Sequence, residues 1–223
     1  MLQDHLQHVL TFNHKPMSQV HGSWLSHLEH PELVKSLVNQ PVAHKFLSDY
    51  LNQSYPALEQ HHYEFTDFFE RCALLPAKAL QVVIFYLGTA ILSNPIRCTI
   101  EKQKVETAKA QLGEALYTFA IKQAPFTYRH LSELSKVHPE VGKIDWNEFK
   151  KEIFLRGCWM LRILYKDYPE ALTQRLFMKL PYSMMNADIP ESLESTPAIR
   201  NEVEKIALKL IQEKYRKWLP LIG

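Results

Sequence analysis

At 223 residues, with 46% hydrophobic and 22% charged residues, the chain can bury a sizeable core, which excludes disorder over most of its length. A net charge of +2, histidines neutral, excludes a nucleic-acid surface built on a basic excess. Six glycines against thirteen prolines leave few turn residues for an all-β fold, so the composition predicts helices punctuated by proline.

The first sixteen residues, MLQDHLQHVLTFNHKP, lack the basic-then-apolar pattern of a secretion signal, and export is not expected. Pro41, Pro76, Pro95, Pro125, Pro169 and Pro197 each precede an apolar pattern of helical period; the first helical turn tolerates proline because its N–H has no partner there. After Pro41, the residues Val42, Phe46, Leu47, Tyr50 and Leu51 predict a packed helix. Phe65, Phe68, Phe69 and Cys72 predict the next. After Pro76 come Leu80, Val83, Ile84, Leu87 and Ile91, with Val82, Phe85 and Tyr86 on the other faces. This helix is apolar nearly all round, so it is expected at the centre of the fold. Its apolar run, Ala79–Leu92, is 14 residues. A bilayer span needs roughly 20, so no membrane insertion is expected.

Gly88 interrupts this helix at a cost of about 1 kcal/mol relative to alanine. A second leucine-glycine pair, Leu112-Gly113, lies in the pattern Val105, Ala108, Leu112, Leu116, Phe119, Ala120. Both glycines are expected at helix–helix contacts. Trp146, Phe149, Ile153, Gly157, Met160 and Leu164 line one face of a further helix. Tyr182–Thr196 has no clear period and reads as a loop. Thr196 reads as the N-cap of a last helix carrying Ile199, Val203, Ile206, Leu210 and Trp218, with Lys214, Arg216 and Lys217 in its final turns. The expected fold is all-α: a single globular domain over residues 1–223 of about ten packed helices, with a very apolar central helix.

Catalytic and ligand motifs are missing from the sequence. There is no phosphate loop, no dinucleotide fingerprint and no nucleophile elbow. Cys72, Cys98 and Cys158 are far apart and read as reduced thiols. His5 with His8, His27 with His30, and His61 with His62 form no complete metal set. Glu148 and Glu152, flanking Lys151, read as a solvated helix face. No enzymatic activity, cofactor or metal is expected.

Three stretches carry a family likeness, strongest over residues 75–119: LLPAKALQVVIFYLG, which starts at Leu74, then NPIRCTIEKQKV, then LGEALYTF. Leu75-Pro76, Leu87-Gly88, Arg97, Ile100, Val105, Leu112-Gly113 and Phe119 occupy the pattern. Flanking it are Phe12, Asn13, Pro16, Trp24 and Leu25 in residues 12–25, and the RLFMKLP stretch of residues 175–181. With these motifs the chain resembles the SctK family of type III secretion systems (YscK, PscK, MxiK, OrgA), apart from the helix after Pro197, which matches nothing in the pattern. The resemblance implies a non-enzymatic virulence-apparatus adaptor at the cytoplasmic face of the inner membrane, in the sorting platform of the injectisome. Its implied partners are the cytoplasmic domain of an SctD-like ring protein and an SctQ-like pod protein, with SctL and the SctN ATPase reached indirectly. A helical chaperone or regulatory binding protein unrelated to secretion is the alternative, and a helical enzyme with a dispersed site is a third reading.

An adaptor needs exposed partner surfaces. The sequence offers two: Tyr182, Met184 and Met185 in the expected loop, and Lys214, Arg216, Lys217 and Trp218 at the basic-aromatic end. Methionine adapts to partner surfaces, and Arg and Trp are enriched among binding hot spots.

Overall fold

Proline opens helices throughout the computed structural model, which describes residues 2–191 and 193–222. Pro31, Pro139 and Pro197 are first helical residues, and Pro41 opens a 3-10 turn that runs into helix His44–Ser54. Pro95 instead lies inside the first turn of helix Ser93–Cys98, which starts two residues earlier than expected. The Thr196 hydroxyl accepts the Ile199 N–H at 3.3 Å and caps helix Pro197–Lys214. The protein is all-α: 73% is helical, and no strand occurs among the described residues.

The chain forms two compact units, each assembled from non-contiguous pieces. The first unit combines Met1–Leu80, Asp167–Asn186 and Ile211–Gly223. Its longer helices are Leu2–His14, Pro31–Leu37, His44–Ser54 and Glu170–Phe177. Asp67 and Glu70 close a reciprocal capping box at the start of Phe68–Ala73, which satisfies two backbone N–H groups. Phe12, Trp24, Leu51, Leu58, Leu75, Leu172 and Leu176 are buried. The stripe expected after Pro41 is narrower than its sequence suggests. Leu47 and Leu51 are buried, whereas Val42 is 84% and Phe46 71% exposed. Val42 precedes the α-helix, in the 3-10 turn, and Phe46 is rotated about 100° away from Leu47.

The second unit combines Gln81–Lys166 with Ala187–Leu210. The larger part of the apolar helix Ala77–Ile91 lies here, with Val83, Ile84, Leu87, Ala90 and Ile91 buried. It packs on helix Phe149–Leu164 through two facing glycines. A Cβ on Gly88 would overlap the Ile153 carbonyl oxygen and lie 2.8 Å from its carbon and 3.1 Å from the Gly157 nitrogen. A Cβ on Gly157 would overlap the Ile84 carbonyl oxygen and lie 2.7 Å from the Ile84 Cγ2. Backbone therefore meets backbone, a separation that only glycine permits on both sides.

Gly113 corrects the sequence reading. No atom lies within 4 Å of where its Cβ would stand, so it marks no helix–helix contact. Its φ of 73° and ψ of 166° break the helical path within Lys102–Thr118. That backbone region is essentially reserved for glycine. The apolar stripe beside it survives the break: Ala108, Leu112, Phe119 and Ala120 are buried.

Buried charge completes this unit. The Glu202 carboxylate accepts the backbone N–H groups of His130 at 3.0 Å and Leu131 at 2.9 Å, capping helix Arg129–Val137 from a distant part of the chain. Arg156 donates to the carbonyls of Val141 and Lys143, each at 2.9 Å, and pairs with Glu152 at 2.9 Å. Glu148 pairs with Lys151 on the exposed face, but Glu152 turns inward to Arg156 rather than to solvent.

Candidate functional site

The expected partner residues take different roles. Tyr182–Met185 is a turn of helix, not loop, because the carbonyl of Pro181 accepts the N–H groups of Met184 and Met185. Met185 is 3% exposed and belongs to the core, while Met184 is half-buried. Trp218 is 9% exposed, its ring 4.3 Å from that of His8, so it too fills the interior. Lys214 ends helix Pro197–Lys214, and Arg216 lies beyond it in a 3-10 turn; both are exposed. The side chain of Lys217 lies outside the described residues. Of the two proposed surfaces, the basic residues Lys214 and Arg216 remain outward and the large apolar anchors do not.

A second feature of the first unit draws three distant segments together. Lys179 is 1% exposed, yet its Nζ meets no carboxylate among the described residues. It donates to the carbonyls of Ala73 at 2.7 Å and Leu75 at 2.9 Å, at the end of helix Phe68–Ala73, and lies 5.1 Å from the Phe12 ring centre. Burial pushes its pKa down from 10.5 to about 7. Four residues earlier, Arg175 donates to Leu58 at 2.7 Å and to Ala171 at 2.9 Å. Burial pulls this guanidinium down to about 10, where it stays charged at neutral pH.

The N-terminal segment closes on the same region. The Trp24 indole N–H donates to the Leu180 carbonyl at 2.7 Å, the Tyr182 N–H to the Ser23 hydroxyl at 2.9 Å, and the His21 N–H to the Met178 carbonyl at 2.7 Å. Asn13 donates its amide to the His62 carbonyl at 2.7 Å and accepts the His62 N–H at 2.8 Å. Each bond uses a polar side chain or turn N–H to satisfy backbone groups that would otherwise be buried unpaired, at a cost of about 1–3 kcal/mol each. The arrangement is a structural lock.

Beside the lock lie two surface hollows. One hollow of about 550 Å³ is lined by residues including His27, Glu29, Tyr50, Tyr55 and Tyr182. A second, of about 320 Å³, shares Tyr55 and includes Glu170. Tyr182 stacks on His27 with ring centres 3.6 Å apart and meets Trp24 edge-on at 4.8 Å. The Tyr55 hydroxyl reaches the Trp24 carbonyl only at 3.5 Å, and burial, with Tyr182 nearby, raises its pKa. The Tyr50 hydroxyl is buried with no hydrogen-bond partner among the described residues. Sequence reading missed these hollows, since their walls come from residues 27–60 and 170–182 and no local spacing announces them.

Among the described residues, no three His, Cys, Asp or Glu side chains converge to hold a metal ion. No described helix is long and apolar enough to cross a membrane. Burial pushes the Cys158 thiol up to about 12, which leaves it an inert core group.

The fold is that of an all-helical protein locked by long-range side-chain-to-backbone bonds. The family model for YOP proteins translocation protein K (YscK) matches residues 8–218, nearly the whole chain. The chain belongs to the YscK family and is a type III secretion protein. The match runs past Pro197 and takes in the last long helix, which the motif resemblance left unmatched. No curated protein and no solved structure matches it.

Proposed function

We propose that this protein is a non-enzymatic cytoplasmic adaptor of the injectisome, joining the cytoplasmic domain of an SctD-like ring protein to an SctQ-like pod of the sorting platform. The YscK-family match over residues 8–218 carries this reading. Two features support it. The family motif residues Phe12, Asn13, Trp24, Leu25, Leu75 and Leu87 are buried, so they build a scaffold rather than a reactive centre. Lys214 and Arg216 are both exposed, and cations at the surface suit a partner face of opposite charge. The decisive experiment is copurification of the full chain with each candidate partner alone and with both together. The adaptor reading expects pairwise complexes and a ternary one. Failure to bind either protein, under conditions where the chain is folded, would remove it.

A further inference from the structure

We propose that Arg97, Ile100 and Phe126, in the second unit, form a docking surface for an acidic segment of a partner protein that carries an apolar side chain beside its carboxylate. The inference rests on the adaptor reading and adds to it a surface and the chemistry of what that surface receives.

Apolar exposure is the first observation. Ile100 is 97% exposed, in the short turn between helices Ser93–Cys98 and Lys102–Thr118. Phe126 is 69% exposed, and the Arg97 guanidinium lies over its ring, 5.2 Å from the centre. Two large side chains that gain nothing from the core thus flank one cation, three residues from it on one side and in contact with it on the other.

Charge commits the surface to an acidic occupant. Every carboxylate in residues 93–106 and 119–133 already has a cation: Glu101 pairs with Lys104 at 2.6 Å, Glu106 with Lys102 at 3.9 Å and Glu133 with Arg129 at 2.8 Å. Arg97 and the exposed Lys122 have no carboxylate partner among the described residues. The Arg97 guanidinium also makes no hydrogen bond among them, so its fork of N–H donors is free for a carboxylate, and the Phe126 ring restrains where that fork points. An arginine restrained beside exposed apolar bulk has the composition of a binding hot spot. A protein segment fits better than an anionic lipid surface. Glu101 adjoins Ile100, so sinking Ile100 among lipid phosphates would carry a carboxylate towards them. A protein segment can set its carboxylate on Arg97 and leave Glu101 with Lys104.

The test is calorimetric titration of the full chain with the SctD-like cytoplasmic domain and, separately, with the SctQ-like protein. Arg97→Glu should weaken binding of one of them at least tenfold, the worth of a charge-assisted hydrogen bond. Ile100→Ser should weaken the same one about tenfold through lost apolar burial. Arg97→Lys keeps the charge without the fork and should fall between Arg97→Glu and wild type. Rising salt should weaken that complex, and less steeply in Arg97→Gln. All four changes are at exposed positions and should leave the melting temperature unchanged. The proposal is overturned if folded Arg97→Glu and Ile100→Ser bind both proteins as wild type does. It is equally overturned if these variants keep both proteins and lose only binding to phosphatidylglycerol vesicles, which would make the surface a lipid contact. Wild type that binds neither protein removes the adaptor reading itself, and this surface with it, so the two failures are told apart by wild type alone.

Discussion

Alanine at Gly88 tests a contact in which backbone meets backbone. The new Cβ would stand 2.8 Å from the Ile153 carbonyl carbon, and carbon atoms pack best at about 3.5–4.0 Å. Helix Phe149–Leu164 would have to retreat by roughly 1 Å along this contact. No rotamer relieves the overlap, because the obstacle is backbone on the facing helix. Overpacking of this kind costs about 1–3 kcal/mol, and the backbone obstacle places Gly88→Ala at the upper end. The gain in helix propensity returns about 1 kcal/mol, which leaves a net loss of roughly 2 kcal/mol. For a chain of this length that lowers the melting temperature by roughly 4–8 °C. Gly88→Leu should lose more. Gly22→Ala is the control, since nothing lies within 4 Å of that position. Gly157→Ala should behave like Gly88→Ala, and the double variant should lose less than the sum, because one retreat accommodates both methyl groups. Thermal unfolding followed by far-UV circular dichroism reads all five. If Gly88→Ala melts with Gly22→Ala, or the two core changes simply add, the paired-glycine account is wrong.

Lys179 gives a pH signature. Between about 7 and its ordinary 10.5 the unfolded chain holds a proton that the folded chain does not, so folding stability rises with pH across that window. Relative to Lys179→Met, wild type should gain up to about 4 kcal/mol between pH 7 and pH 10 in urea unfolding; a difference between the two proteins that stays constant with pH would contradict the buried, uncompensated ammonium. At the basic end, reversing Lys214 and Arg216 to glutamate should weaken association with an acidic partner face and flatten its salt dependence, leaving the melting temperature within about 1 kcal/mol equivalent. A folded double variant that binds both SctD-like and SctQ-like proteins as wild type does would exclude that end as a contact.

Much of the helical skeleton was legible because it depends on local chemistry. Proline at a helix start and the Thr196 cap act within one turn, and so does the apolar stripe of Ala77–Ile91. Gly88 was legible as an anomaly inside that stripe, but its counterpart Gly157 is 69 positions further along the chain, and pairing them needs the fold. Gly113 looked the same by spacing and is not: a glycine beside an apolar stripe can serve a close approach or a break in the backbone, and only φ distinguishes them. Two of the residues expected at the surface, Met185 and Trp218, are buried for a different reason. Met185 and Trp218 were assigned to the surface because they fell in an aperiodic stretch and near the chain end, yet hydrophobic bulk finds cover wherever a neighbouring ring or helix provides it. The roles of Lys179 and Arg175 were invisible, because the carbonyls of Ala73, Leu75 and Leu58 that they satisfy lie about a hundred residues away.

The motif residues now have a physical meaning that separates scaffold from recognition. Phe12, Asn13, Trp24, Leu75, Arg175 and Lys179 meet in one bonded region of the first unit, where changing any of them strands a buried polar group or opens a void. Gly88 works similarly in the second unit, with Gly157, which the motif does not include. Interior roles of this kind specify a shape and say nothing of who binds it. Arg97 and Ile100 stand apart. Both are exposed, Ile100 at 97%, and the Arg97 guanidinium lies over the ring of Phe126, itself 69% exposed. They contribute little burial, so packing does not account for them as it does for the rest. A fold secured by its interior can change its outer face without losing its shape. Partner recognition in this protein is therefore to be sought on the faces the lock leaves free: the tyrosine-lined hollows, the basic C-terminal turn and the turn bearing Ile100.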